Sequence, residues 1–334
     1  VGIILGAGIY VLIGQAAGLG GNAVWISFLL SAIVAAFTGL SYAELSSMYP
    51  KDGSELVYAE QGISKKVGWL VALLIIFEGF VSAAAVALGF GGYLSRLLNP
   101  YISLPIVISA LLCIFIFTYV NYRGIKQTAW LNILFTSLEA GGLILITLMG
   151  IKYIGKVDLL QTASGVPGVL SAASLIFFAY IGFEAVVKLS EETKNATKII
   201  PKALILSIII STILYMLVAV ASISILGWEK LSASTAPLAD VAQAVLGSKA
   251  FLLLAIIALF STANTVLMIM VTTSRLMYGM ATEYSKIKVL SYISKKRKTP
   301  LIAILVTMII TIFFALLGDL RLVAEMSNFA IFAA

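Results

Sequence analysis

The sequence predicts an all-α integral membrane protein whose helical bundle contains two helices interrupted at membrane depth. Three observations carry that expectation. Apolar runs near the roughly 20 residues that cross a bilayer recur along the whole chain, in which 61% of residues are hydrophobic and 11% charged; a soluble domain carries roughly 25% charged residues. Two of these runs are broken internally by glycine rather than ended by it, Val1 to Ala16 around Gly6-Ala7-Gly8 and Pro167 to Ser190 around Tyr180-Ile181-Gly182. All seven prolines, Pro50, Pro100, Pro105, Pro167, Pro201, Pro237 and Pro300, fall at the ends or loops of the apolar segments, where a missing N–H does no harm.

In chain order the segments are 1–16, 23–48, 67–97, 104–121, 128–150, 167–190, 201–226, 248–281, 301–317 and 322 onward. The chain opens within an apolar segment too short to span, on a residue that is not an initiator Met, and closes partway through another. Further residues are therefore expected beyond both ends, and the whole of 1–334 reads as one membrane-embedded domain. Backbone that leaves the helix inside the bilayer survives only where protein encloses it, because lipid offers no partner for a freed N–H or C=O. Two such breaks at corresponding positions of two halves are the pattern of a secondary transporter's binding site.

Charge placement gives the topology. With the N-terminus cytoplasmic, the outer side holds only Arg96, Lys152, Lys156, Lys230, Lys249 and Arg321, and the other cations among the 22 face inward, as the positive-inside rule requires. The net charge of +7 thus follows membrane topology and implies no nucleic-acid partner. The run Lys295 to Lys298 reads as an orientation signal, with anionic lipid as its other reading. Segment one then runs outward and segment six inward, as inverted repeats of five spans require, with repeat one at about 1–155 and repeat two at about 160–334, cut short in helix 10. Histidine is absent and Cys113 is the sole cysteine, which excludes imidazole relays, zinc sites and internal disulfides. Gly89 to Gly92 lie in an apolar span without a following Lys and Ser or Thr, so they form no phosphate loop.

Several strings, taken together, resemble the amino acid, polyamine and organocation transporter superfamily, in its amino acid permease branch. They are Gly6-Ala7-Gly8-Ile9-Tyr10; Tyr42-Ala43-Glu44-Leu45 with Pro50, Gly53, Ser54 and Tyr58; Phe177 to Glu184; Glu191 to Asn195 with Pro201; Ala236 to Ala239; and Ser274-Arg275-Leu276. The resemblance implies a leucine-transporter-type 5+5 inverted-repeat bundle with discontinuous helices 1 and 6, in the cell membrane. It implies transport of amino acids or related amines, polyamines included, by alternating access. Ala196 replaces a usual proline, the stretch Glu283 to Leu290 lacks the family's glycine and proline, and Glu139 stands where several proton-coupled relatives carry lysine.

A zwitterion needs an anion site and a cation site close together. The N-terminus of the outer half of helix 1, at Gly8 and Ile9, presents free N–H groups and a positive dipole end, and the resemblance places the carboxylate at Gly6, Ala7 and Gly8. Carbonyls freed at Ile4, Phe178, Ala179 and Ile181 would accept from the ammonium. Phe178 and Tyr180 are candidates for stacking over the substrate and gating it. The plainer reading of the helix-1 glycines, small faces for close helix packing, leaves the second break at Gly182 unexplained.

Glu78, Glu139 and Glu184 lie inside apolar spans, where an unpaired charge costs about 2.5–3.5 kcal/mol or more. They are expected to be buried and protonatable, as proton-coupling candidates, with Glu184 also placed to pair with Lys188. Ser261, Thr262, Asn264 and Thr265 offer oxygens for a sodium site. Protons or plain exchange are favoured over sodium as the coupling mode, and no cofactor or metal is expected. The rivals are a non-transporting sensor of the same fold, a sodium-coupled symporter and an intramembrane enzyme. The enzyme is opposed by the missing histidine and by the lack of a paired acid and base.

Overall fold

The computed structural model describes residues 2–50, 54–124, 129–189, 193–283 and 288–334. The sequence features at Lys51, Gly53, Lys126, Glu191, Glu192 and Lys286 lie outside these described residues. Helices α1 (Gly2–Leu5) and α2 (Ala7–Gly20) are the two pieces of the first segment, and α3 (Val24–Met48) follows a 3-10 turn. After them come α4 (Ser54–Gly62), α5 (Lys65–Leu98), α6 (Ile106–Arg123), α7 (Ala129–Gly150), α8 (Gly165–Tyr180) and α9 (Ala196–Leu226). Two short helices, α10 (Trp228–Ser232) and α11 (Pro237–Leu246), precede α12 (Ser248–Glu283), α13 (Leu301–Ala315) and α14 (Leu320–Ala333). Among the described residues there is no strand, and six helical stretches are long and apolar enough to cross a membrane.

The apolar segments read from the sequence meet helices within a few residues, except the sixth, expected over 167–190, whose helix α8 stops at Tyr180. A proline departs from expectation as well. Pro201 was placed at a segment end, yet it lies inside α9, because that helix starts a turn earlier, after Asn195 in the left-handed region at φ 54°. The proline falls in the second turn and removes the N–H that would have bonded the Thr197 carbonyl.

Burial follows a membrane logic. On α6, Ile108, Leu112, Phe115 and Tyr119 are exposed at the spacing of one helix face, while Ser109, Cys113 and Asn121 are buried. The apolar face turned outward and the polar face turned inward is the inverse of a soluble amphipathic helix and suits a lipid surround.

The chain divides into two compact units, Val1–Gly68 with Ile133–Ile257, and Trp69–Asn132 with Ala258–Ala334. The expected repeats at about 1–155 and 160–334 each contribute to both. In the first unit α3 packs against α8 and α9, α2 packs against α8, and α10 and α11 cover α2. Hydroxyls stitch the α3–α8 seam: Ser27 donates to the Val169 carbonyl at 2.8 Å and Ser31 to that of Ala173, the short side chains letting the backbones approach. In the second unit α13 packs on α6, and the Asn121 amide donates to the Met270 carbonyl (3.4 Å) and the Ser274 hydroxyl (3.3 Å) of α12. Asp319 caps α14 by accepting the Leu322 N–H at 3.1 Å, satisfying one of the orphan donors of a helix start.

Candidate substrate site

Both sequence breaks are real interruptions of the helix. α1 ends at Leu5, Gly6 takes φ −33° and ψ −143°, and α2 restarts at Ala7 with Gly6, which has no side chain, as its cap residue. Gly6 at that cap brings no side-chain oxygen of its own, and the positive end of α2 stands inside the protein: Ala7 and Ile9 are at most 1% exposed. α8 ends at Tyr180, Ile181 is extended at ψ 138°, and Gly182 takes φ 114°, a conformation open to glycine and strained for a side chain. Beyond it the expected continuation of the span is a 3-10 turn, Glu184–Leu189.

One residue meets both breaks. The Tyr215 hydroxyl, on α9, lies against the carbonyl oxygen of Ile4 and that of Ala179, the latter at 3.0 Å. A phenol has one proton, so it donates to one of these carbonyls at a time and leaves acceptor capacity on both. Of the other carbonyls expected to face an ammonium, that of Phe178 accepts the Ile181 N–H at 3.3 Å. Tyr215 is fully buried and its ring is held edge-on by Tyr180 (5.4 Å between centroids) and tilted against Phe28 (5.8 Å). Sequence reading missed it. The available signal was a tyrosine at mid-span of an apolar segment, whose hydroxyl must find a partner once buried.

Gly8 is tighter than a ligand-facing glycine needs to be. A Cβ there would lie 2.5 Å from Ala179 Cα and 2.8 Å from Ala179 Cβ, so the two broken segments touch at Gly8 and Ala179. Of the two gating candidates, Tyr180 is fully buried and its hydroxyl donates to the Phe28 carbonyl at 3.2 Å, which ties it to α3. Phe178 is buried, at 6% exposure.

The three carboxylates, all expected to be buried, fall in different surroundings: Glu139 is buried, whereas Glu78 and Glu184 are only partly buried. Glu139, on α7, is 3% exposed; its backbone carbonyl accepts the Tyr10 hydroxyl at 2.8 Å, and its carboxyl lies within electrostatic range of Tyr215. The Tyr10 hydroxyl thus ties α2 to α7 at Glu139 within the first unit. The Glu184 carboxylate accepts the Gly182 N–H at 2.8 Å, capping the helix-6 break; the side chain of Lys188, its expected partner, is outside the described residues. Glu78 belongs to the second unit, where it accepts the Ser327 hydroxyl of α14 at 3.1 Å.

The sodium candidates also lie in the second unit. Thr262 donates to the Ala258 carbonyl (2.7 Å) and Thr265 to that of Ser261 (2.9 Å), the usual resting bond of a hydroxyl in a transmembrane helix. The buried Ser261 hydroxyl has no hydrogen-bond partner among the described residues, and Asn264 is half-buried.

The family model described as amino acid permease matches residues 1–334. The branched-chain amino acid permease of Bacillus subtilis (strain 168) is 29% identical over 98% of this chain and 74% of its own length. The cationic amino acid transporter 3, mitochondrial, of Arabidopsis thaliana is 26% identical over 98% of this chain and 57% of its own length. The methylthioribose transporter of Bacillus subtilis (strain 168) is 29% identical over 70% of this chain and 54% of its own length.

Proposed function

The chain belongs to the amino acid permease family of the APC superfamily, and from that premise we propose that it carries amino acids or closely related amines across the cell membrane by alternating access. It is a transporter of the multi-pass membrane class and not an enzyme. The observation that carries the site assignment is the meeting of the Ile4 and Ala179 carbonyls at the Tyr215 hydroxyl, beside the buried start of α2 at the Gly6 break.

In this reading the substrate carboxylate sits on the N–H groups of Ala7, Gly8 and Ile9, where the helix dipole favours an anion. Its ammonium donates to the remaining lone pairs at Ile4 and Ala179. The 5+5 inverted repeat with a cytoplasmic N-terminus supplies the alternating access. Coupling runs through a proton on Glu139, near Tyr215, or the protein exchanges one substrate for another; sodium at Ser261 is the less favoured ion.

The test is flux. The purified full-length protein is reconstituted into vesicles and challenged with radiolabelled branched-chain and cationic amino acids and with polyamines. Saturable uptake supports transport, whereas binding without uptake identifies a sensor. Methylthioribose belongs in the same panel, since the relative named for it is 29% identical. It lacks both charges of a zwitterion, and its uptake in preference to every amine would refute the two-pole site.

A further inference from the structure

The basic run that the sequence reads as an orientation signal is, in the fold, a closed loop. The Ser294 N–H donates to the Thr299 carbonyl at 2.9 Å and the Lys298 N–H to the Ser294 carbonyl at 2.8 Å, with Lys298 in the left-handed region at φ 55°. Ser294 is buried beneath the turn, while Lys295, Lys296 and Lys298 are exposed and Arg297 is half-exposed. The Thr299 hydroxyl then donates to the Tyr122 carbonyl at 3.1 Å, fastening the loop to the end of α6. That bond brings in Arg123, an exposed residue whose guanidinium lies 5.6 Å from the centre of the Tyr119 ring.

We propose that this loop and Arg123 form a binding surface for the phosphate headgroups of anionic phospholipid in the bilayer that surrounds the chain. A positive-inside signal works on the chain during insertion and requires only that the cations be present. It explains neither the backbone pairing that closes the loop nor the long-range contact that sets Arg123 beside it. The five cations on this loop and the adjoining helix end repel one another, a repulsion that water and salt only partly screen and an anionic surface relieves, and neither stretch 284–300 nor 119–128 contains an Asp or Glu. Apolar side chains stand next to the cations: Val289, Tyr292 and Ile293 are 67%, 49% and 43% exposed. Aliphatic and aromatic groups beside lysines are the composition of a segment that dips into the headgroup layer. The ends of two apolar helices, α6 and α13, flank the surface, which sets it at the boundary of the apolar layer.

The experiment uses the purified full-length protein in lipid nanodiscs of phosphatidylcholine with and without phosphatidylglycerol, so membrane orientation plays no part. Native mass spectrometry should show wild type retaining phosphatidylglycerol over phosphatidylcholine. A variant with Lys295, Lys296, Lys298 and Arg123 each changed to Gln should lose that preference by about fivefold or more, the scale of a single surface cation. The all-arginine variant at the three lysines should keep it. An unchanged preference, or an equal loss when Lys152, Lys156 and Lys230 are neutralised instead, would overturn the assignment. Wild type alone gives a second readout, because amide exchange across 289–299 should slow when phosphatidylglycerol is present; identical exchange in both lipids would also overturn it.

Discussion

Gly8→Ala is the sharpest perturbation the structure offers, because its target is backbone. The added methyl would sit 2.5 Å from Ala179 Cα and 2.8 Å from Ala179 Cβ, roughly 1 Å inside the distance of about 3.5–4.0 Å at which carbons settle. A side-chain neighbour could rotate aside, but Ala179 Cα moves only with α8, so the two broken segments must separate by about that 1 Å. Overpacking of this kind costs about 1–3 kcal/mol, and the backbone neighbour places Gly8→Ala at the upper end. The separation also pulls the N–H groups of α2 away from the Ala179 carbonyl, splitting the two poles of the proposed site. Thermal unfolding in detergent and a scintillation proximity measurement of amino acid binding should therefore both deteriorate. Adding Ala179→Gly removes the 2.8 Å contact and leaves the 2.5 Å one, so the double variant should recover part of both losses. If Gly8→Ala binds like wild type, the Gly8–Ala179 contact does not set the site; if Ala179→Gly restores stability without any binding, ligand space rather than the helix contact explains the glycine.

Tyr215→Phe keeps the ring contacts to Tyr180 and Phe28 and removes only the donor to Ile4 and Ala179. Depriving a buried carbonyl of its donor costs about 1–3 kcal/mol, so thermal stability should fall, and affinity for an amino acid should change more than affinity for its des-amino analogue; equal changes would detach Tyr215 from the ammonium. Glu139→Gln should preserve folding and substrate binding but flatten the pH dependence of uptake and abolish stimulation by an imposed pH gradient. Profiles matching wild type would remove Glu139 from coupling. Tyr58, on the short polar helix α4, has its phenol pushed up to about 12 by burial and then by the Glu55 carboxylate. The folded state therefore holds this proton where the unfolded chain, with an ordinary value of about 10, releases it, and stability should fall as pH rises from about 10 through about 12. Tyr58→Phe should lessen that alkaline loss in a pH series of melting curves, and an unaltered series would refute the assignment. In a Cys113→Ala background, cysteines at Lys65 and Lys296 should resist an impermeant maleimide in intact cells while one at Lys230 reacts; the reverse pattern would invert the topology.

The sequence by itself determined the helical segments and the location of both breaks, for a local reason. An apolar run long enough to span a bilayer has no alternative to helix, and glycine at Gly6 and Gly182 removes the side chains that would hold the chain helical. It also placed Glu139 and Glu78 inside apolar helices, since a carboxylate among apolar residues is visible without any fold, whereas Glu184, expected inside a span, lies past the end of α8 in a 3-10 turn. Partners were not visible. That Tyr215 reaches both Ile4 and Ala179, that Gly8 is pressed against Ala179 backbone, and that Glu184 caps Gly182 are matters of distances between elements, and periodicity along one helix carries no information about which face of another helix it meets. Pro201 shows the same limit at short range, because the start of α9 depends on a left-handed residue at Asn195 that no hydropathy pattern marks. Arg123 and the Lys295–Lys298 run are each plain in the sequence, but only the Thr299 to Tyr122 bond makes them one surface: a hydrogen bond between distant loops is chosen by the packing of α6 and α13, which is decided by shape complementarity once the whole chain has folded.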